Sequence, residues 1–143
     1  MGGSQIGPEV NEKAIERAAR VGDGWLGAGS TSLAAHERAS KKFVEFARKF
    51  GRNPDSLAVA KRVYIHLDSN RERAKTVLNR VLSAFYKRGI DVDGTCVYGT
   101  QRDCVERLNH LKEAGTKSLI FHPVADHFRQ AETLARDVIP AIR

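Results

Sequence analysis

Cysteine is scarce in this sequence: two of 143 residues, Cys96 and Cys104. Two cysteines do not make a disulfide framework. They lack the close spacing of a zinc knuckle, and no histidine stands at ligand spacing beside them, so no metal site is expected. They read as reduced thiols of a cytoplasmic protein. No apolar run approaches the roughly 18 residues a membrane helix needs, so no membrane contact is expected. Met1-Gly2-Gly3-Ser4-Gln5 has no basic stretch followed by an apolar one, so no secretory signal is expected either. No Gly-x-Gly-x-x-Gly opens a helix, no Walker loop is found, and no Ser/His/Asp set stands out.

What is present is an ordinary globular mixture. Hydrophobic residues make up 41% and charged residues 29%, which excludes a disordered or collagen-like chain. The length suits one domain with a real core. The net charge of +7 raises the question of nucleic acid. Its layout argues against that partner. Lys and Arg are spread over most helical segments and mixed with Glu. The densest spots, Lys41-Lys42 and Arg48/Lys49/Arg52, are not interleaved with exposed aromatics, as a stacking platform requires.

Helical and strand patterns alternate along the chain, with glycines between them. Pro8 and Asn11 open a first helix with Ala14, Ile15, Ala18 and Ala19 on its apolar stripe, and Gly22 stops it. Gly24 to Gly27 reads as a short strand. Thr31 or Ser32 caps a long helix whose apolar positions run from Ala35 to Phe50, and Gly51 ends it. Asn53-Pro54-Asp55-Ser56 is a turn. Leu57 to Leu67 is the clearest strand, with Leu57, Val59, Val63, Ile65 and Leu67 on one parity. Asp68, Ser69 or Asn70 caps a third helix with Phe85 on its apolar face, closed by Gly89. Residues 90–98 read as a loop. Thr100 with Asp103 resembles a capping box that opens a fourth helix, ended by Gly115. Ser118 to Val124 is a short apolar strand, and Asp126 caps a last helix that carries Phe128. Strands alternating with amphipathic helices predict βαβ units and a parallel sheet, that is, an α/β fold.

Candidate chemistry is sparse. Gly2-Gly3-Ser4 before a helix could approach a phosphate closely, where free N–H groups and the helix dipole favour an anion. His36 and His110 lie on helices and are expected to be exposed, and His127 falls in a first helical turn. His66 and His122 stand toward the C-terminal ends of predicted strands, where parallel α/β folds place their sites. Trp25 sits on a short strand, where core packing is the plain expectation.

The residues in order resemble a family. Gly2-Gly3-Ser4 is followed by Ala14-Ile15-Glu16-Arg17-Ala18-Ala19-Arg20-Val21-Gly22-Asp23-Gly24-Trp25. Then come Gly51-Arg52-Asn53-Pro54 and Val63-Tyr64-Ile65-His66-Leu67-Asp68. Tyr98-Gly99-Thr100 follows, ahead of Cys104-Val105-Glu106-Arg107-Leu108. Glu113-Ala114-Gly115 and Ile139-Pro140-Ala141 complete the set. This series resembles the luciferase-like flavin or deazaflavin oxidoreductases, bacterial luciferase-like monooxygenases included, over essentially the whole chain.

The resemblance implies the second half of a (β/α)8 TIM barrel, from the end of strand five through strand eight. It implies about three to four βα units in a single α/β unit, without a separate second domain. It implies FMN or the 8-hydroxy-5-deazaflavin coenzyme as cofactor, with Gly2, Gly3 and Ser4 at the phosphate. Trp25, His66 and His122 would lie at or near strands six, seven and eight as candidate pocket-lining residues. No catalytic role is carried over, since many ring and substrate contacts in the family come from the first half. The chain alone is therefore expected to be inactive. Its expected partners are the cofactor, a small-molecule substrate, and either the missing N-terminal half or a second copy of itself. The rival expectations are a non-catalytic half-barrel that self-assembles and a basic nucleic-acid-binding module.

Overall fold

The computed structural model describes residues 10–143. Helix α1 (Glu12–Val21) starts at Asn11, whose side chain accepts from the N–H groups of Lys13 at 3.0 Å and Ala14 at 3.4 Å. At its other end the Arg52 guanidinium donates to the carbonyls of Ala19 and Gly22, at 3.0 and 2.5 Å. It thereby satisfies acceptors that a helix end leaves open. Strand β1 (Gly24–Gly27) follows, then α2 (Leu33–Lys49), capped by Ser32 through the Ala35 N–H.

Strand β2 (Ala58–Leu67) is the long strand expected. Four strands form one sheet in the order β1-β2-β3, with β4 also paired to β2. The chain divides into two compact units, 1–62 with 111–120, and 63–110 with 121–143.

In the first unit, β1 lies parallel to the start of β2, from Gly24 opposite Ala58 to Gly27 opposite Lys61. Ile15, Ala18 and Ala19 of α1 and Ala39, Phe43 and Ala47 of α2 enclose Trp25, Leu57 and Val59. The alanines let the elements approach closely around two large rings. Burial of this apolar area is the main force holding the unit together.

In the second unit, β3 (Val97–Gly99) lies parallel to the end of β2, with His66 opposite Tyr98. Helix α3 (Arg71–Tyr86) supplies Ala74, Leu78 and Leu82 to a core shared with Tyr64, Val92, Cys96, Tyr98 and Val124. Helix α5 (Gln101–Glu113) opens on the expected Thr100–Asp103 box, with both reciprocal hydrogen bonds in place, at 2.9 and 3.3 Å. Strand β4 (Ser118–Pro123) and helix α6 (His127–Thr133) complete the chain, and a π turn and a 3-10 turn continue it to Ala141.

Several local expectations are corrected. Residues 90–98 are not a loop. Asp91 caps a one-turn helix, α4 (Val92–Thr95), and β3 follows it. Both are too short to show a period, and β3 exists because the end of β2 offers it a partner. Helix α3 turns off at Lys87, in the left-handed region at φ 53°, rather than at Gly89. Asp126 makes no side-chain cap bond. Phe85 and Phe128 are not core residues: they are 74% and 89% exposed.

Candidate functional site

The first unit contains a polar cluster at the end of β1. Trp25 is buried, and its ring stacks on that of His36 with centroids 4.8 Å apart and planes 19° from parallel. His36 is therefore not the exposed helix residue expected; it is fully buried. Its Nε2 lies 3.0 Å from Thr116 Oγ1. The Ser40 hydroxyl donates to the His36 carbonyl at 2.8 Å, and Nδ1 has no hydrogen-bond partner among the described residues. A proton on Nε2 suits this arrangement, because the opposite tautomer would bury an unpaired N–H. Burial, and then the nearby Lys61 cation, push the His36 pKa down to about 3, so the ring is neutral.

Lys61 is also fully buried. It occupies the apolar parity of β2, between Val59 and Val63. Its Nζ donates to the carbonyls of Ala28 and Thr31, the latter at 3.0 Å. A cation inside the unit thus ties down the loop that leaves the C-terminal end of β1. Gly27 is required there, because a Cβ would run into the His36 ring and the Lys61 stem.

In the second unit the C-terminal end of β2 is held from several directions. The buried Gln130 side chain accepts from the Leu67 N–H at 2.8 Å and donates to the Leu67 carbonyl at 2.9 Å. One side chain thereby stands in for a neighbouring strand. The Asp68 N–H donates to the Gly99 carbonyl at 2.9 Å. Arg73 grips the Asp68 carboxylate with two bonds of 2.5 Å. Those bonds, with one from the Asn70 N–H, hold the Asp68 pKa down to about 2. On this fixed backbone His66 is 6% exposed, and its Nδ1 is buried with no hydrogen-bond partner among the described residues. Burial lowers its pKa, while Asp68 and Asp126 pull the other way.

Tyr98, opposite His66, anchors a charged network. The Arg71 guanidinium lies over its ring at 4.5 Å, its hydroxyl donates to Asp93, and Lys75 reaches Asp93 at 2.7 Å. His122 of β4 is exposed and meets Tyr64 edge-on at 5.2 Å. The Tyr64 and Tyr86 hydroxyls are 2.6 Å apart.

Among the expected site residues, Trp25 thus belongs to the first unit's core. His66 and His122 stand on separate strands of the second unit, with Tyr64 on the same strand as His66. Gly2, Gly3 and Ser4 lie outside the described residues. Neither cysteine forms a disulfide and both are buried, and burial pushes the Cys104 thiol up to about 12, so it is no nucleophile at neutral pH. No group of three or more metal-ligating side chains is found among the described residues. None of their helices is long and apolar enough to cross a membrane. Sequence reasoning missed Lys61 and Gln130. A lysine in the apolar parity of a strand was the available signal for the first; the second had none.

Parallel strands joined by helices, with polar side chains gathered at strand ends, define an α/β protein built on a parallel sheet. The family model for luciferase-like monooxygenases matches residues 10–92. The match takes in more than half of the chain, and the chain belongs to that family.

Solved structures share its fold. An F420-dependent secondary alcohol dehydrogenase, in complex with an F420-acetone adduct, is 18% identical with a TM-score of 0.75; the match covers 100% of this chain and 47% of that one. The coenzyme F420-dependent tetrahydromethanopterin reductase from Methanopyrus kandleri is 20% identical with a TM-score of 0.74, over 100% and 50%. The oxygenating constituent of 3,6-diketocamphane monooxygenase from Pseudomonas putida, a type II Baeyer-Villiger enzyme in complex with FMN, is 19% identical with a TM-score of 0.70, over 99% and 48%. No curated protein matches the chain. At these identities the likeness establishes the fold, a partial TIM barrel. The chain spans about half the length of these structures.

Proposed function

We propose that the chain is the cofactor-binding C-terminal half of a luciferase-like oxidoreductase, with FMN or a deazaflavin as its cofactor. It would supply the end of barrel strand five and strands six to eight, the last three being β1, β2 and β4. The observation that carries this reading is the family match over residues 10–92, on a fold that covers half of each solved neighbour. The neighbours named above include two F420-dependent enzymes and one bound to FMN. When bound, the cofactor supplies hydride transfer, with monooxygenation where FMN and oxygen are used.

The residues present suit such a group. The buried Nδ1 of His66, at a strand's C-terminal end, is an orphaned polar atom that a ligand can satisfy. Gly2, Gly3 and Ser4 would hold the phosphate by backbone approach. His122 stands as a further candidate for the pocket. Fluorescence titration with FMN and with F420 tests the reading. Binding of one of them, weakened at least tenfold by Gly2→Val with Gly3→Val, is the expected result. Binding of neither overturns it.

A second reading is a half-barrel that associates through its strands without catalysing anything. It is favoured by Leu26 of β1 and Ile120 of β4, which are 36% and 47% exposed in the first unit. Parallel strands ordinarily have both faces covered. The cover would be the complementary half or a second copy. Light scattering at micromolar concentration separates the two readings: a flavin-free dimer supports this one, and a monomer opposes the dimer. The nucleic-acid reading has little support. Lys41, Lys42 and Lys49 pair with Glu37, Glu12 and Glu16, and Arg52 is committed to backbone carbonyls.

A further inference from the structure

We propose that His66 is a ligand contact for the neutral, hydroxyl-bearing part of the cofactor, through Nδ1, and that it does not bind the phosphate. The inference rests on the cofactor reading above and adds a residue and a ligand group to it.

Three observations carry it. First, the ring is nine-tenths buried with Nδ1 unpartnered, while the backbone on either side is fixed. Gln130 holds both polar groups of Leu67, Gly99 takes the Asp68 N–H, and β3 pairs with residues 65–67. Such an atom costs free energy until something pairs with it.

Second, the charges around the ring are matched with one another and not with it. Asp68 is held by Arg73 at 2.5 Å and Asp126 by Arg129 at 3.4 Å. These four groups are the ones that act electrostatically on His66. Each guanidinium already faces a carboxylate, so neither stands beside the ring as an unmatched cation for a phosphate. Third, burial keeps the imidazole neutral, and a neutral ring nitrogen suits a hydroxyl, which can donate or accept as the tautomer requires.

The test uses two ligand pairs on the protein at its native length: riboflavin with FMN, and the 8-hydroxy-5-deazariboflavin with F420. Each pair differs by the phosphate-bearing tail. For the pair that binds, His66→Phe should weaken both members about tenfold, by equal factors, since the loss lies in the part they share. His66→Asn, which keeps a polar atom near the Nδ1 position, should restore binding to within about threefold. In the unaltered protein the ¹⁵N signal of His66 Nδ1 should move when the phosphate-free member is added. That measurement stands even where His66→Phe does not fold.

Unchanged affinity in His66→Phe, or no movement of the Nδ1 signal on binding, overturns the assignment and leaves the cofactor reading intact. A loss confined to the phosphate-bearing member overturns it as well, because His66 would then serve the phosphate. If the unaltered protein binds neither pair, the cofactor reading fails and this assignment fails with it.

Discussion

His36 and Thr116 are joined by a hydrogen bond, Nε2 to Oγ1 at 3.0 Å, across 80 residues of sequence. The bond ties the middle of the first unit to the segment before β4. It also suits one tautomer of a ring that burial keeps neutral. The His36 pKa falls from 6.5 to about 3 on folding, so between those values the unfolded chain binds a proton that the folded chain refuses. Stability is then full above pH 6.5, falls as pH drops, and stops falling near 3 on this account. The slope for one proton is about 1.4 kcal/mol per pH unit. His36→Phe keeps a flat ring beside Trp25 and removes the proton. Urea unfolding of both proteins from pH 7 to 4 should show the unaltered chain losing stability more steeply below 6.5. Parallel curves would contradict the assignment.

Lys61 should be needed for the loop after β1. Replacing it with Met keeps the stem and removes the donor, leaving the Ala28 and Thr31 carbonyls without it inside the protein. The relief of burying a charge opposes that loss; the Ala28 carbonyl keeps the Thr31 N–H, but a buried acceptor at Thr31 that loses its donor costs about 1–3 kcal/mol. Lys61→Met should therefore lower the unfolding free energy by about 2 kcal/mol and speed amide exchange at Thr31, whose N–H bonds to the Ala28 carbonyl. Equal stability with unchanged exchange would mean that the cation is incidental to the loop.

Much of the fold is legible because it is local. Asn11, Ser32, Asn70 and the Thr100–Asp103 pair announce their helices, and the parity of Val59, Val63, Ile65 and Leu67 announces β2. What escaped is set by distant partners. His36 looks like a surface residue of an amphipathic helix, yet Trp25 and Thr116 enclose it. Phe85 and Phe128 fall on apolar periods, yet both are largely exposed. Gln130 gives no local sign that its amide will complete the edge of Leu67. His66 and His122 were legible as strand-end residues. The burial of one and the exposure of the other follow from packing around β3, α3 and α6.

Gly99 should not accept a side chain. Its φ of 112° is one that L residues rarely adopt, and a Cβ would press on the Asp103 carboxylate that closes the capping box. Gly99→Ala should cost about 2 kcal/mol or more and lower the melting temperature. Thr100→Ala, which removes only the cap hydroxyl, should cost about 1 kcal/mol. The ranking of the two separates backbone strain from cap loss.

Gln130 and Arg73 offer a comparison between a buried and an exposed contact at the same strand end. Arg73 makes the shorter bonds, 2.5 Å to Asp68, but its side chain is 63% exposed. Exposed ion pairs contribute about 1 kcal/mol or less, and salt screens them. Gln130 makes bonds of 2.8 and 2.9 Å and is buried, so its loss strands an N–H and a carbonyl of Leu67 away from water. Gln130→Met, close in shape, should cost about 2–4 kcal/mol, while Arg73→Gln should cost less than about 1 kcal/mol. Raising the salt to 1 M should shrink the Arg73 effect and leave the Gln130 effect unchanged. Because Gln130 also fixes the backbone beside His66, its loss should loosen the amide of Leu67 in hydrogen exchange before the protein unfolds globally. If Arg73→Gln proved the more damaging of the two, the strand end would be held from the solvent side by charge, and the buried amide clamp would be secondary.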